Sequence, residues 1–314
     1  MMEPGLLKSA DWPLIIDLYF FLGGLAGGAF LIASIANVLD SQRYREVVRV
    51  GYYVALLAII PAPILLIIDL GIPTRFLHMM MVSKPSTAIG MDAITIGPFH
   101  FKPFSAMNVG AWALLVFSAC AFLAALDTFL EQRGGRSMSA LRGIVGIIGS
   151  IFGLLIAAYP GVLLGTTARP LFINAHWLGA LFLAVGASTG GAAIALILSG
   201  LGGRTREAVA RVMRVTAFAL ILQAVFLALF LVAVKLSGSA GISAALTQLI
   251  AGPYSLTFWL GAVVIGIVAP LMLQFGGLIT KAVPAVTVLA SLLVLIGGFL
   301  IKYVLIAAGQ AGGT

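Results

Sequence analysis

Of the 314 residues, 61% are hydrophobic and only 9% charged, against about a quarter charged in soluble domains. This excludes an ordinary water-soluble protein and leaves an all-α integral membrane chain, read as a single embedded domain over 1–314. The formal net charge of +8 comes from basic residues in short loops between apolar runs, a pattern of membrane topology, and nucleic acid is set aside as a partner. The single cysteine, Cys120, lies in an apolar run, so neither a disulfide framework nor an iron–sulfur cluster is expected in this chain.

About 20 apolar residues cross a bilayer core. On that criterion eight spans are predicted, over roughly 14–39, 47–70, 105–130, 141–165, 171–199, 208–236, 254–279 and 283–308. Glu3 and Asp11 offset Lys8, and the first run is long and rich in glycine, so it is expected to stay as the first helix and not to be cleaved as a signal. An even number of spans puts both termini on one side, here side A, with the connections at 71–104, 166–170 and 237–253. Lys8, Arg75, Lys84, Lys102, Arg169, Lys235 and Lys302 belong to that side, while the remaining basic residues, from Arg43 to Lys281, crowd the short loops of side B. The positive-inside rule makes side B cytoplasmic. The expected location is therefore a bacterial or archaeal cytoplasmic membrane, with both termini on the non-cytoplasmic face.

The first span reads Phe20-Phe21-Leu22-Gly23-Gly24-Leu25-Ala26-Gly27-Gly28-Ala29-Phe30. Its paired small-xxx-small spacings predict close backbone packing, and hence a central helix. Asp17 shares a helical stripe with Gly24 and Gly28 and should point into the bundle. The second span carries Pro61 and Pro63, which should break its hydrogen-bond ladder before Asp69. Asp69-Leu70-Gly71-Ile72-Pro73-Thr74-Arg75-Phe76 then reads as a helix end, because glycine turns left-handed at no steric cost and proline cannot continue the ladder. Gly97-Pro98-Phe99-His100-Phe101-Lys102-Pro103-Phe104 is expected to form an ordered surface element, a docking edge for another subunit. Ser105 and Asn108 open the third span; Tyr159-Pro160-Gly161 closes the fourth. In the fifth, His176 shares a stripe with Gly179, Gly186 and Gly190, which predicts that it faces a packed helix. Lys302-Tyr303 lies in the outer half of the last span.

Asp17, Asp69, Arg75, Asn108, Tyr159, Arg169, His176 and Lys302 thus all fall in the outer third of the bundle. Ionisable groups in a membrane interior cost a few kcal/mol each on insertion scales, about 2.5–3.5 at a helix centre, and are a functional signal by default. Carboxylate, imidazole and cations at one level suit the two-electron, two-proton chemistry of a quinone head group. Each residue also has a structural explanation: a helix-dipole carboxylate for Asp17, a boundary ion pair for Asp69 with Arg75, a snorkelling Lys302 and a satisfied core histidine for His176. Toward side B, Asn37, Asp40, Asp127, Gln223 and Gln274 are candidates for a proton route or for ordinary helix-end polarity. The chain has three histidines; two, His78 and His100, lie in a surface loop, so a bis-histidine haem is not expected.

Asp17 with the glycine motif, the Asp69–Phe76 segment, Pro85-Ser86, Ser105-Ala106-Met107-Asn108-Val109-Gly110, Gly297-Gly298, Lys302-Tyr303 and Gly309-Gln310 together resemble the NrfD/PsrC family, the membrane subunits of polysulfide-reductase-like respiratory complexes. The likeness covers essentially the whole chain. It implies an eight-transmembrane-helix bundle without haem, with a site for menaquinone or ubiquinone near the outer face. It also implies a docked four-cluster, ferredoxin-like iron–sulfur subunit, serving a molybdopterin catalytic subunit or, in some members, a multihaem cytochrome. By the same resemblance Asp17, Asp69, Arg75 and Asn108, on the first four helices, are the leading quinone positions, with His176 less direct. The expected function is a quinone-reactive anchor of an oxidoreductase complex. A secondary transporter, which would show an inverted repeat and paired broken helices, and a passive anchor without a quinone site are the competing readings.

Overall fold

The computed structural model describes residues 12–81, 94–135, 139–167, 169–172, 176–202, 205–275 and 284–311. Among them are eight helices long and apolar enough to cross a membrane. They are α1 (Leu14–Asp40), the broken pair α2 (Arg45–Ile59) and α3 (Pro61–Asp69), α4 (Ala106–Gln132), α5 (Ser139–Gly165), α6 (Leu178–Gly200), α7 (Arg206–Leu236), α9 (Thr257–Phe275) and α10 (Pro284–Ala311). Each span matches a predicted one. A shorter apolar helix, α8 (Ala240–Ile250), occupies the connection before α9, capped by the Ser239 hydroxyl, which accepts from the Ile242 N–H at 3.3 Å.

Glycine dictates which helices are central. Lipid offers no hydrophobic drive between helices, so backbones that approach closely gain the packing. A Cβ on Gly28 would collide with the Gly186 carbonyl of α6, and one on Gly27 with the Gly153 carbonyl of α5; a Cβ on Gly186 would lie 2.7 Å from the Gly24 oxygen. The most apolar windows of α1 and α6 are accordingly 72% buried, against 33–44% in the other spans. The expectation of a central first helix holds. A second glycine contact, Gly266 on Gly297, joins α9 to α10, and α9 winds as a wider π-helix over Thr257–Val268.

The second span breaks where its prolines predict. Ile60 donates to Leu56 at 3.1 Å, after which Pro61 has no N–H to give and α3 starts afresh. It ends at Asp69, but not by a left-handed glycine: Leu70 turns extended (φ −65°, ψ 128°), and Gly71 is absent from the positive-φ glycines. A 3₁₀ segment, Pro73–Met79, follows. The aromatic motif between prolines is half of a hairpin, β1 (Ile94–Ile96) with antiparallel β2 (Phe99–Phe101). Gly97, at φ 59°, supplies the turn conformation that the strand twist demands. Pro85 and Ser86 lie outside the described residues.

The fifth span begins at Leu178, later than its hydropathy suggests. Leu171 and Phe172 are buried, but as a plug: the Phe172 ring occupies the space that a side chain at Gly309 of α10 would need.

Candidate functional site

Three spans bury polar groups toward the side-A end of the bundle. Asp17, in the first turn of α1, is 3% exposed, as its stripe with Gly24 and Gly28 requires, and its Oδ1 has no hydrogen-bond partner among the described residues. One turn further along, the Phe20 carbonyl accepts from the Lys302 Nζ of α10 at 2.6 Å. Lys302 is fully buried, and its Nζ stands 5.1 Å from the centroid of the Phe182 ring on α6. A Cβ on Gly24 would approach that nitrogen to 2.7 Å, so glycine there makes room for the amine as well as for α6.

These contacts explain how an amine is tolerated in this position. Insertion of a lysine at a helix centre costs about 2.5–3.5 kcal/mol. A charged hydrogen bond returns about 1.5–3 kcal/mol, and a desolvated cation–π contact about 2 kcal/mol. Lys302 is fully buried, its amine bound to a carbonyl of α1 and not turned to solvent.

Tyr159 of α5 is buried against α4; a Cβ on Gly110 would fall 2.5 Å from its Cζ and 2.8 Å from its hydroxyl oxygen. Tyr19, two residues beyond Asp17, is 4% exposed and its ring packs against Phe20 at a centroid distance of 5.3 Å. The sequence does not single out Tyr19, because in an aromatic run nothing separates a functional phenol from a packing ring. Trp12 closes the outer end: its backbone N–H donates to the Gln310 Oε1 at 2.8 Å, and its backbone carbonyl accepts from Gln310 Nε2 at 3.1 Å. Arg169, 6% exposed, donates to the Gln310 carbonyl at 2.8 Å. The ends of α1 and α10 and the link after α5 are thereby tied together.

The other predicted residues stand apart from this group. Asn108 is buried, but both ends of its carboxamide serve the loop: Oδ1 accepts from the Lys102 N–H at 2.8 Å, and Nδ2 donates to the Met79 carbonyl at 2.5 Å. With Trp112, whose indole N–H reaches the His100 carbonyl at 3.0 Å, it fastens the hairpin and the 3₁₀ segment to α4. Asp69 and Arg75 are both exposed, and no ion pair joins them among the described residues. His176 is exposed in the turn before α6. Its predicted stripe holds from Gly179 onward, but the helix begins two residues too late to carry the imidazole inward. Lys84 and Lys8 lie outside the described residues.

Toward side B the polar residues form separate clusters. Arg142 of α5 pairs with Asp127 at 3.4 Å and Glu131 at 2.6 Å, both on α4. The Ser188 hydroxyl of α6 donates to Gln223 of α7 at 2.9 Å, and Asp40 accepts from the Gln42 and Arg43 N–H groups of its own loop.

Fold and buried polar residues together define a multi-pass membrane protein with ionisable groups buried inside its helix bundle. Over residues 3–312 the chain matches the family described as "Polysulphide reductase, NrfD", and it belongs to that family. It is similar to the Protein NrfD homolog of Haemophilus influenzae, 26% identical over 314 residues, with 95% of this chain and 94% of the relative covered. It is equally similar to a polysulfide reductase chain of Wolinella succinogenes, 26% identical over 312 residues, covering 95% and 93%. A shorter likeness, 24% over 92 residues, covers 29% of this chain and 22% of a selenate reductase subunit of Mesobacillus selenatarsenatis.

Proposed function

We propose that the chain is the quinone-reactive membrane subunit of a multi-subunit reductase, passing electrons between membrane quinone and a docked iron–sulfur protein that serves a molybdopterin subunit. The observation that carries this reading is the buried Asp17 carboxylate with an unpartnered oxygen, one turn before the Phe20 carbonyl that holds the buried Lys302 amine of α10. Family membership and the names of the relatives support a place in a reductase complex.

A bound menaquinone or ubiquinone would supply the two-electron, two-proton chemistry. The residues present fit such a head group, since Tyr159 and Lys302 are hydrogen-bond donors for a carbonyl oxygen and Asp17 is an acceptor. In this reading Asp17 exchanges a proton at Oδ1, and the lysine field steadies negative charge on oxygen. Asp69 and Arg75 stand at the surface of the same end, where they would meet the head group or its protons on the way in. Asn108 acts through the loop it holds, and His176 lies at the rim. Side A, opposite the arginine-rich loops, is the non-cytoplasmic face of a prokaryotic inner membrane.

The test is quinol-linked turnover of the purified complex. Asp17→Asn is expected to lower it at least tenfold while the partners still co-purify, and Asp69→Asn to lower it with assembly intact. Unchanged turnover in Asp17→Asn would remove that carboxylate from the mechanism. Loss of assembly in step with loss of activity would favour a passive anchor.

A further inference from the structure

At the opposite end of the bundle the helix termini of α1, α2, α4 and α5 surround an open cleft of about 370 Å³, its solvent-filled mouth included. Arg45, Arg49 and Arg142 line it together with Asn37, Ser41, Thr128, Gln132 and one carboxylate, Glu131, which Arg142 neutralises at 2.6 Å. We propose that this cleft binds an acidic phosphate group, carried by an anionic phospholipid of that leaflet or by free phosphate. The inference is independent of the quinone reading and needs only the bilayer embedding.

Arginine-rich loops are expected on a cytoplasmic face from topology alone, so charge by itself is no argument. What distinguishes this place is the way the cations are used. Arg142 is committed to Asp127 and Glu131. Arg45 forms no ion pair among the described residues, and Arg49 shares only a half-exposed 3.6 Å contact with Glu46, which is weak in water. Two guanidiniums therefore remain for an anion, in the planar fork geometry that suits phosphate oxygens.

Two further features point to the same ligand. The N-terminus of α2 opens at Arg45 without a side-chain cap; the Arg45 N–H leans on the Gln42 carbonyl at 3.4 Å, while the positive end of the helix dipole favours an anion there. The Gln132 side-chain nitrogen is buried and has no hydrogen-bond partner among the described residues; an oxygen acceptor in the cleft would satisfy it. Basic pockets between helix ends at this depth are where anionic head groups bind. On the same helix ends, Val38 and Leu39 of α1 are each 69% exposed and Leu130 of α4 is 41% exposed, apolar surface that acyl chains would cover.

The full chain in mild detergent is titrated with phosphatidylglycerol, phosphatidylcholine or inorganic phosphate, and followed by native mass spectrometry and thermal midpoint. Phosphatidylglycerol is expected to be retained above phosphatidylcholine and to raise the midpoint. Arg45→Gln and Arg49→Gln should each weaken retention about fivefold, whereas Arg214→Gln, another exposed arginine of side B, should leave it unchanged. A midpoint shift with inorganic phosphate alone, lost in Arg45→Gln, would assign the same site to a soluble anion. Equal retention of the two lipids, with no response to phosphate and no effect of Arg45→Gln, would overturn the proposal.

Discussion

Replacing Lys302 by methionine separates a structural role for the amine from a chemical one. Methionine has nearly the length of lysine without its nitrogen, so the cavity beside Gly24 stays filled. The change removes the hydrogen bond to the Phe20 carbonyl, worth about 1.5–3 kcal/mol, and the contact with the Phe182 ring, worth about 2 kcal/mol. It also removes an insertion cost of up to about 2.5–3.5 kcal/mol. The losses exceed the gain by between zero and about 2.5 kcal/mol, so the fold should be destabilised by no more than that. The Phe20 oxygen is not stranded, because it remains an acceptor within its own helix. Thermal unfolding in detergent should therefore look close to wild type, while quinol-linked turnover of the assembled complex falls at least tenfold. A strongly destabilised but fully active variant would refute the reasoning, since it would mean that the amine is a clamp between α1 and α10 and nothing more.

The other predictions test the scaffold. Gly28→Ala forces a methyl onto the Gly186 carbonyl, and because backbone cannot rotate away, the cost should lie toward the upper end of the overpacking range of about 1–3 kcal/mol. Gly143→Ala, in α5 with open space around it, should be neutral or slightly stabilising through helix propensity; equal thermal losses in the two variants would contradict the packing account. Asn108→Ala should release the hairpin, since it deletes two hydrogen bonds to the loop. Hydrogen exchange at Phe99–Phe101 should rise sharply with the helices unaffected, and unchanged protection there would show that Trp112 suffices to hold the strand.

Different signals in the sequence reach different distances into the fold. Hydropathy makes the eight spans legible, because a lipid core tolerates polar backbone only inside helices, and apolar length is then a direct measure of crossing. The proline break before Asp69 follows from a missing N–H, and the buried face of α1 from glycine spacing. The stripe argument fails at His176 because it assumes helix already present at the residue in question, and helix ends are the least certain feature of a sequence. Tyr19 stays hidden because its aromatic neighbours carry the same signal.

The linear chain by itself determined what each helix could do alone: where it crosses, which stripe is thin enough for close approach, and that Asp17 turns inward. Those properties arise from local geometry and from the lipid, and need no knowledge of the neighbours. Only the tertiary structure decided which polar groups meet. Lys302 lies 282 residues from Phe20 and Arg169 lies 141 from Gln310, and no periodicity connects such pairs. Asp69 and Arg75 are exposed where Asp17 is buried, because α3 buries only Ala62 while α1 is held at the centre by Gly24, Gly27 and Gly28. Depth in the membrane is written along the sequence. Which side of a helix another helix will cover depends on packing across the whole bundle.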